Sequence, residues 1–194
     1  MDRRLTVTAI LLALLCSAFV GGYIIYSKRG APDPALSVWS YPYGGSPQEI
    51  AEAVPVPEGW LAYTNKAHHF TLYHPPELVP TEYDEGSGTH TITFEPEGGG
   101  WGFQLFVTPY GDDAITQSRI LKDIPSGEFT SPQEITLGDG TRALTFESQG
   151  PLGTMREVWF LHDAYLFELT GYVELQAHVV EVIRTWSFST TTAQ

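Results

Sequence analysis

The sequence predicts an α+β protein, an antiparallel β-sheet covered by helices, preceded by one N-terminal transmembrane helix. Three observations lead there. Residues 5–26 carry no charged side chain and are bracketed by Arg3, Arg4, Lys28 and Arg29. Beyond them, short runs alternate apolar with polar residues and are broken by Gly, Pro and Asp, the pattern of strands joined by tight turns. The chain then closes on an apolar stripe at helical spacing over residues 174–184.

The stretch LTVTAILLALLCSAFVGGYIIY, residues 5–26, is the first element. A helix of that length rises roughly 33 Å, which matches the hydrocarbon thickness of a bilayer. A cleaved signal peptide competes with this reading, since Leu5 to Leu15 can form its core and Cys16-Ser17-Ala18 its cut site. The apolar run, however, continues to Tyr26 and stops at a basic pair, and Tyr23 and Tyr26 fall where interfacial aromatics belong. An uncleaved signal-anchor, with the lipid bilayer as its partner, is therefore preferred. Leu15 occupies the position where a lipid-modified Cys16 needs a small residue, so Cys16 reads as apolar filler. Ala9, Ala13, Ser17 and Gly21 recur every four residues and mark the expected face for self-association of the membrane helix. Two basic residues on each side nearly tie the positive-inside rule. The four-residue head, 1–4, is the end more easily left in the cytoplasm, which puts the large domain on the extracytoplasmic side.

Residues 31–194 hold six lysines and arginines against 22 aspartates and glutamates, a formal net charge of −16. Such a field repels phosphate backbones, so nucleic acid is not an expected partner, and neither is an anionic lipid surface. The single cysteine lies in the membrane stretch. The domain thus has no thiol for a nucleophile, a zinc ribbon or an iron–sulfur cluster.

A Pro/Gly-rich tether spans residues 27–45, and the soluble domain is read as 46–194. Ser46-Pro47-Gln48-Glu49 has the form of a capping box and opens a short helix to about Val54. Strands are expected over Trp60–Tyr63, Phe70–Tyr73, Leu78–Tyr83, His90–Glu95 and Trp101–Thr108, the last with Trp101, Phe103, Leu105 and Val107 on one side. A helix of about ten residues should start at Asp112 as its cap and end before Pro125. Glu134–Leu137 and Arg142–Glu147 flank Gly138-Asp139-Gly140-Thr141, a strong hairpin signal. Met155–Leu161 and Tyr165–Thr170 flank a second turn, His162-Asp163-Ala164. On the closing helix Leu175, Val179, Val182, Ile183 and Trp186 share a stripe.

Two stretches carry a family resemblance. Tyr63-Thr64-Asn65-Lys66 leads into Phe70-Thr71-Leu72-Tyr73-His74-Pro75, and the final helix ends Arg184-Thr185-Trp186-Ser187-Phe188. In this order of elements the chain resembles the PsbP-like (Mog1/PsbP) domain group over about Trp60 to Phe188. The resemblance implies that fold and an adaptor or binding role without shared catalytic residues. It carries no functional residue onto this chain.

Candidate chemistry is sparse. The six histidines, His68, His69, His74, His90, His162 and His178, lack ligand spacing, and His178 is expected to pair with Glu174 one turn earlier. Acidic loops at Asp84-Glu85, Glu95–Glu97 and Asp112-Asp113 lack the ladder of a calcium loop. There is no Gly-x-Ser-x-Gly elbow, Ser-x-x-Lys pair or phosphate loop. No catalytic, cofactor or metal residue is assigned and no enzyme is expected. Most aromatics belong to the core, Trp101 and Trp186 among them. Trp159 stands apart, because Val158, Trp159, Phe160 and Leu161 are apolar on both faces of one strand. That strand is either central and covered twice or exposes a partner surface at Trp159. The expected function is a membrane-anchored extracytoplasmic binding or adaptor domain for a protein partner. The alternative is a cell-envelope carbohydrate-binding or carbohydrate-cleaving domain.

Overall fold

The computed structural model describes residues 40–42, 55–124, 126–130, 132–150 and 153–189. The expected head, membrane helix 5–26, its contact stripe and the short helix 46–54 lie outside the described residues. Among the described residues no helix is long and apolar enough to cross a membrane.

Seven antiparallel strands form the main sheet in the order β4-β5-β6-β11-β10-β9-β8. They are β4 (Leu78–Gly86), β5 (Thr89–Pro96), β6 (Phe103–Pro109), β8 (Gln133–Thr136), β9 (Arg142–Gly150), β10 (Gly153–His162) and β11 (Tyr165–Tyr172). Tight turns set the local register. Asp163 and Ala164, with φ of 46° and 62°, make the two-residue loop that leaves His162 facing Tyr165. This is the left-handed pair that a right-twisted hairpin favours. In the β8–β9 turn the Asp139 carboxylate accepts the Thr141 N–H at 2.9 Å, as the Gly-Asp-Gly-Thr run predicts.

One face of the sheet packs against a second layer. That layer consists of a helix, α2 (Gln176–Arg184), entered through a 3-10 turn at Val173–Leu175, and a three-stranded sheet ordered β12-β3-β2. Its strands are β2 (Leu61–Asn65), β3 (Phe70–His74) and β12 (Ser187–Phe188). Covering is thus shared between a helix and a second small sheet: Phe70 and Leu72 of β3 lie in the same core as Val179 and Val182 of the helix. Among the described residues, the other face is covered over β9, β10 and β11, by a short helix α1 (Gln117–Asp123) and by β7 (Ala114–Thr116). β7 pairs antiparallel with β1 (Ser40–Pro42), so three residues of the expected tether belong to a strand.

Three expectations need correction. The middle helix is seven residues long and is capped by Thr116, whose hydroxyl accepts the Arg119 N–H at 3.2 Å; Asp112 is not its cap. Pairing of 114–116 with β1 diverts those residues into a strand and shortens the helix. Trp101 does not continue the buried row of Phe103, Leu105 and Val107 and is 53% exposed. The chain passes so close to β5 at Gly102 that a Cβ there would lie 2.0 Å from the Phe94 carbonyl oxygen, and Trp101 leaves the strand before that point. Trp159 is 2% exposed and is not a partner surface. Its strand is central, with Val158 and Phe160 in one core and Trp159 in the other, beside Ile115, Ile120 and Phe146.

Candidate functional site

Two buried polar centres and one open face are the features with chemical potential. The first centre lies under α1. Glu157 on β10 is buried and its carboxylate accepts three hydrogen bonds: Ser148 Oγ at 2.7 Å, Thr170 Oγ at 2.6 Å and Trp159 Nε1 at 3.2 Å. Burial pushes this carboxyl above the ordinary glutamate range, and the three donors partly offset the push. Its acceptor capacity is directed into the fold. One strand away, Arg119 bridges Asp123 and Glu168, reaching Glu168 Oε1 at 3.6 Å, with its guanidinium 5.1 Å from the Tyr110 ring centre. Burial, and next the Asp123 charge, raise the Glu168 carboxyl well above the usual range against the pull of Arg119. Burial likewise raises Asp123. One guanidinium thus serves a buried and a half-buried carboxyl, and it fastens α1 to β11.

The second centre joins the small sheet to the main one. Tyr63 donates to Glu82 on β4 at 2.6 Å, Asn65 Nδ2 donates to the Tyr63 hydroxyl at 3.2 Å, and the His68 N–H donates to Asn65 Oδ1 at 2.9 Å. Burial first, then Glu82, drives the Tyr63 phenol upward. The His68 ring, 8% exposed, sits 4.7 Å from Tyr165 and 5.1 Å from His90, centre to centre. Its Nε2 has no hydrogen-bond partner. Burial, then the neighbouring His90, lowers the basicity of His68.

The structure scatters the other histidines. His74 contacts the Pro75 carbonyl at 2.9 Å, His162 stacks on Phe188 at 3.5 Å, and His178 meets the edge of Trp60 at 6.3 Å instead of pairing with Glu174. His69 sits in the β2–β3 turn at φ 55°. Among the described residues no group of three His, Cys, Asp or Glu side chains is placed to hold a metal ion.

The third feature is the outer face of β4, β5 and β6, beyond the reach of α1. On β4, Leu78 is buried and Glu82 reaches Tyr63, so the alternate residues Val79, Thr81 and Tyr83 point away from that core. Val79 is 48% exposed and Tyr83 37%. Val79 lies opposite Glu95, and Tyr83 lies opposite Thr91, which faces Phe106 in turn. Trp101 stands at one end of this face with its ring edge-on to Tyr172 at 4.4 Å. Sequence reasoning missed these residues. Val79 and Tyr83 look like any strand alternation, and among the described residues α1 packs over β9 to β11 and not over them. Glu157 and Glu168 left a readable sign: each is an acid next to an apolar run of its strand, Val158–Leu161 and Leu166–Phe167.

No family model matches the chain, and no curated protein sequence matches it. A solved structure does: the solution structure of cyanobacterial PsbP (CyanoP) from Synechocystis sp. PCC 6803. It is 11% identical, with a TM-score of 0.50, over 75% of this chain and 100% of that one. The fold is PsbP-like, as the order of elements led us to expect. At that identity the likeness is one of backbone architecture.

Proposed function

We propose that this PsbP-like fold acts as a non-enzymatic binding or adaptor domain for a protein partner, held at the extracytoplasmic face of a membrane by a helix over residues 5–26. The observation that carries the reading is the outer face of β4–β6, where Val79, Tyr83 and Trp101 remain open, while Glu157 and Glu168 are turned inward. Three of the five large apolar side chains exposed among the described residues share this face, and such a grouping supports an interaction surface. Glu157, Glu168 and Asp123 serve internal bonds and ion pairs, which supports a structural role for them.

The test uses the full chain in its own membranes. Alkaline carbonate extraction should leave it in the membrane pellet, and release with residues 5–26 intact overturns the anchor. Mild cross-linking should then shift the protein into a hetero-complex; recovery as a monomer alone overturns the binding role. If Ala9, Ala13, Ser17 and Gly21 pair two membrane helices, a Gly21→Leu variant reduces any homodimer seen in the same gel. Carbohydrate binding has one observation in its favour, the exposed Trp101 indole. Retention on cell-envelope glycans, lost in Trp101→Ala, would support it, and passage without retention ends it.

A further inference from the structure

We infer that the outer face of β4, β5 and β6 docks a basic, apolar-studded segment of a partner protein; this rests on the binding role proposed above. Two independent observations choose the occupant. The first is apolar: Val79, Tyr83 and Trp101 are the large side chains left open on this face, and Thr81, Thr91 and Thr93 between them offer hydroxyls without charge. The second is charge. Residues 67–118, which supply all of β4, β5 and β6, contain no lysine or arginine. They carry eight acids, of which Glu77, Glu85, Glu95 and Glu97 are exposed around β4 and β5.

The six positive charges of the described domain, Lys66, Arg119, Lys122, Arg142, Arg156 and Arg184, lie outside these strands, and the four arginines are already matched. Arg119, Arg142, Arg156 and Arg184 each sit against a carboxylate, at Asp123, Glu134, Glu147 and Glu181. The face therefore shows a partner apolar anchors inside a single-signed rim, a combination that attracts cationic segments and repels anionic lipid and nucleic acid. Docking uses the face and not the strand edge. β4 carries Pro80 and a bulge between Asp84 and Gly86, devices that stop another strand from adding to a sheet.

The experiment uses the full chain in phosphatidylcholine nanodiscs. The probe is a fluorescein-labelled peptide alternating lysine and leucine, compared with glutamate/leucine and lysine/serine peptides of equal length. The lysine/leucine peptide should bind, more weakly as salt rises, and should bind at least about tenfold more weakly to a Val79→Ser, Trp101→Ser double variant. Both positions are exposed, and an unchanged melting temperature verifies that the variant is folded. A photo-cross-linker at Tyr83 should capture the peptide.

Equal affinity for the double variant overturns the proposal. So does comparable binding of either control peptide, or cross-linking from Tyr83 exclusively to residues 43–54 of the same chain or to a second copy. If membranes yield a hetero-complex while Tyr83 captures nothing, the binding role stands and this surface is the wrong one. If the peptide docks here but membranes yield monomer alone, the face is real and the adaptor role fails.

Discussion

Asp139 and Phe188, 49 residues apart, are joined by one hydrogen bond: the Phe188 N–H donates to Asp139 Oδ2 at 2.8 Å. The other carboxylate oxygen of Asp139 accepts from Thr141 within its own turn. A residue whose local task is to close the β8–β9 hairpin thus also holds the strand that follows α2. Asp139→Ala should lower unfolding free energy by about 1.5–3 kcal/mol, the range for hydrogen bonds to a charged acceptor. Asp139→Asn, which keeps one acceptor oxygen, should lose about half as much. Urea denaturation of both variants measures the difference, and equal stability of all three proteins would remove Asp139 from this role.

The neighbouring Gly138 is needed for a different reason. Its N–H donates to the Ile183 carbonyl at 2.9 Å, and a Cβ on it would lie 2.0 Å from the Arg184 carbonyl oxygen. Backbone cannot yield as a flexible side chain does, so Gly138→Ala should cost about 2–3 kcal/mol or more. Gly111→Ala is the control, since no atom lies within 4 Å of its added Cβ. Its effect should stay within about 0.5 kcal/mol. Thermal unfolding distinguishes the two.

His68 predicts a loss of stability in acid. Its basicity is lowered in the folded protein, chiefly by burial. Its contribution is therefore fully present above the unfolded value, near 6.5, and is lost as pH falls through the lower folded value. His162, also lowered by burial, adds a slope of the same sign. A His68→Phe variant should lose less stability between neutral pH and the mildly acidic range than the parent does. An unchanged slope would show that the imidazole takes up its proton equally in the folded and unfolded states.

Glu168 works in the opposite direction. Its carboxyl is raised in the fold, so the stability it contributes is complete below the unfolded value and is lost as pH rises through the folded one. Glu168→Gln keeps the shape, removes the buried charge and leaves Arg119 paired with Asp123. The variant should be about 1 kcal/mol more stable than the parent on the alkaline side of neutrality, consistent with the cost of burying ionised groups. Their difference should shrink toward acid. Denaturant midpoints across that range are the readout, and a less stable variant at every pH would mean that the ionised carboxylate holds α1 in place.

Much of the fold was legible because its signals are local. Gly138-Asp139-Gly140-Thr141 announces a turn by its own chemistry. The stripe of Val179, Val182 and Ile183 names the buried side of α2, and all three are in the core. Val158 to Leu161 was legible only as a choice between two states. α1 and β7, which cover Trp159, are drawn from chain some forty residues away. Pairing of Ser40 with Thr116 turned an expected helix start into a strand, and neither residue announces the other. His68 and His90, 22 positions apart, met only when two turns converged at the same end of the sheet.

By itself the amino-acid order determined the charge, the uncharged run over 5–26, the absence of a thiol from the domain and the type of most elements. These depend on side-chain chemistry and on neighbours a few residues apart. Only the tertiary structure decided which surfaces survive assembly: that Trp159 is covered, and that Val79, Tyr83 and Trp101 are not. An alternating strand presents two faces of similar character, and exposure is assigned to one of them by whatever distant segment packs on the other.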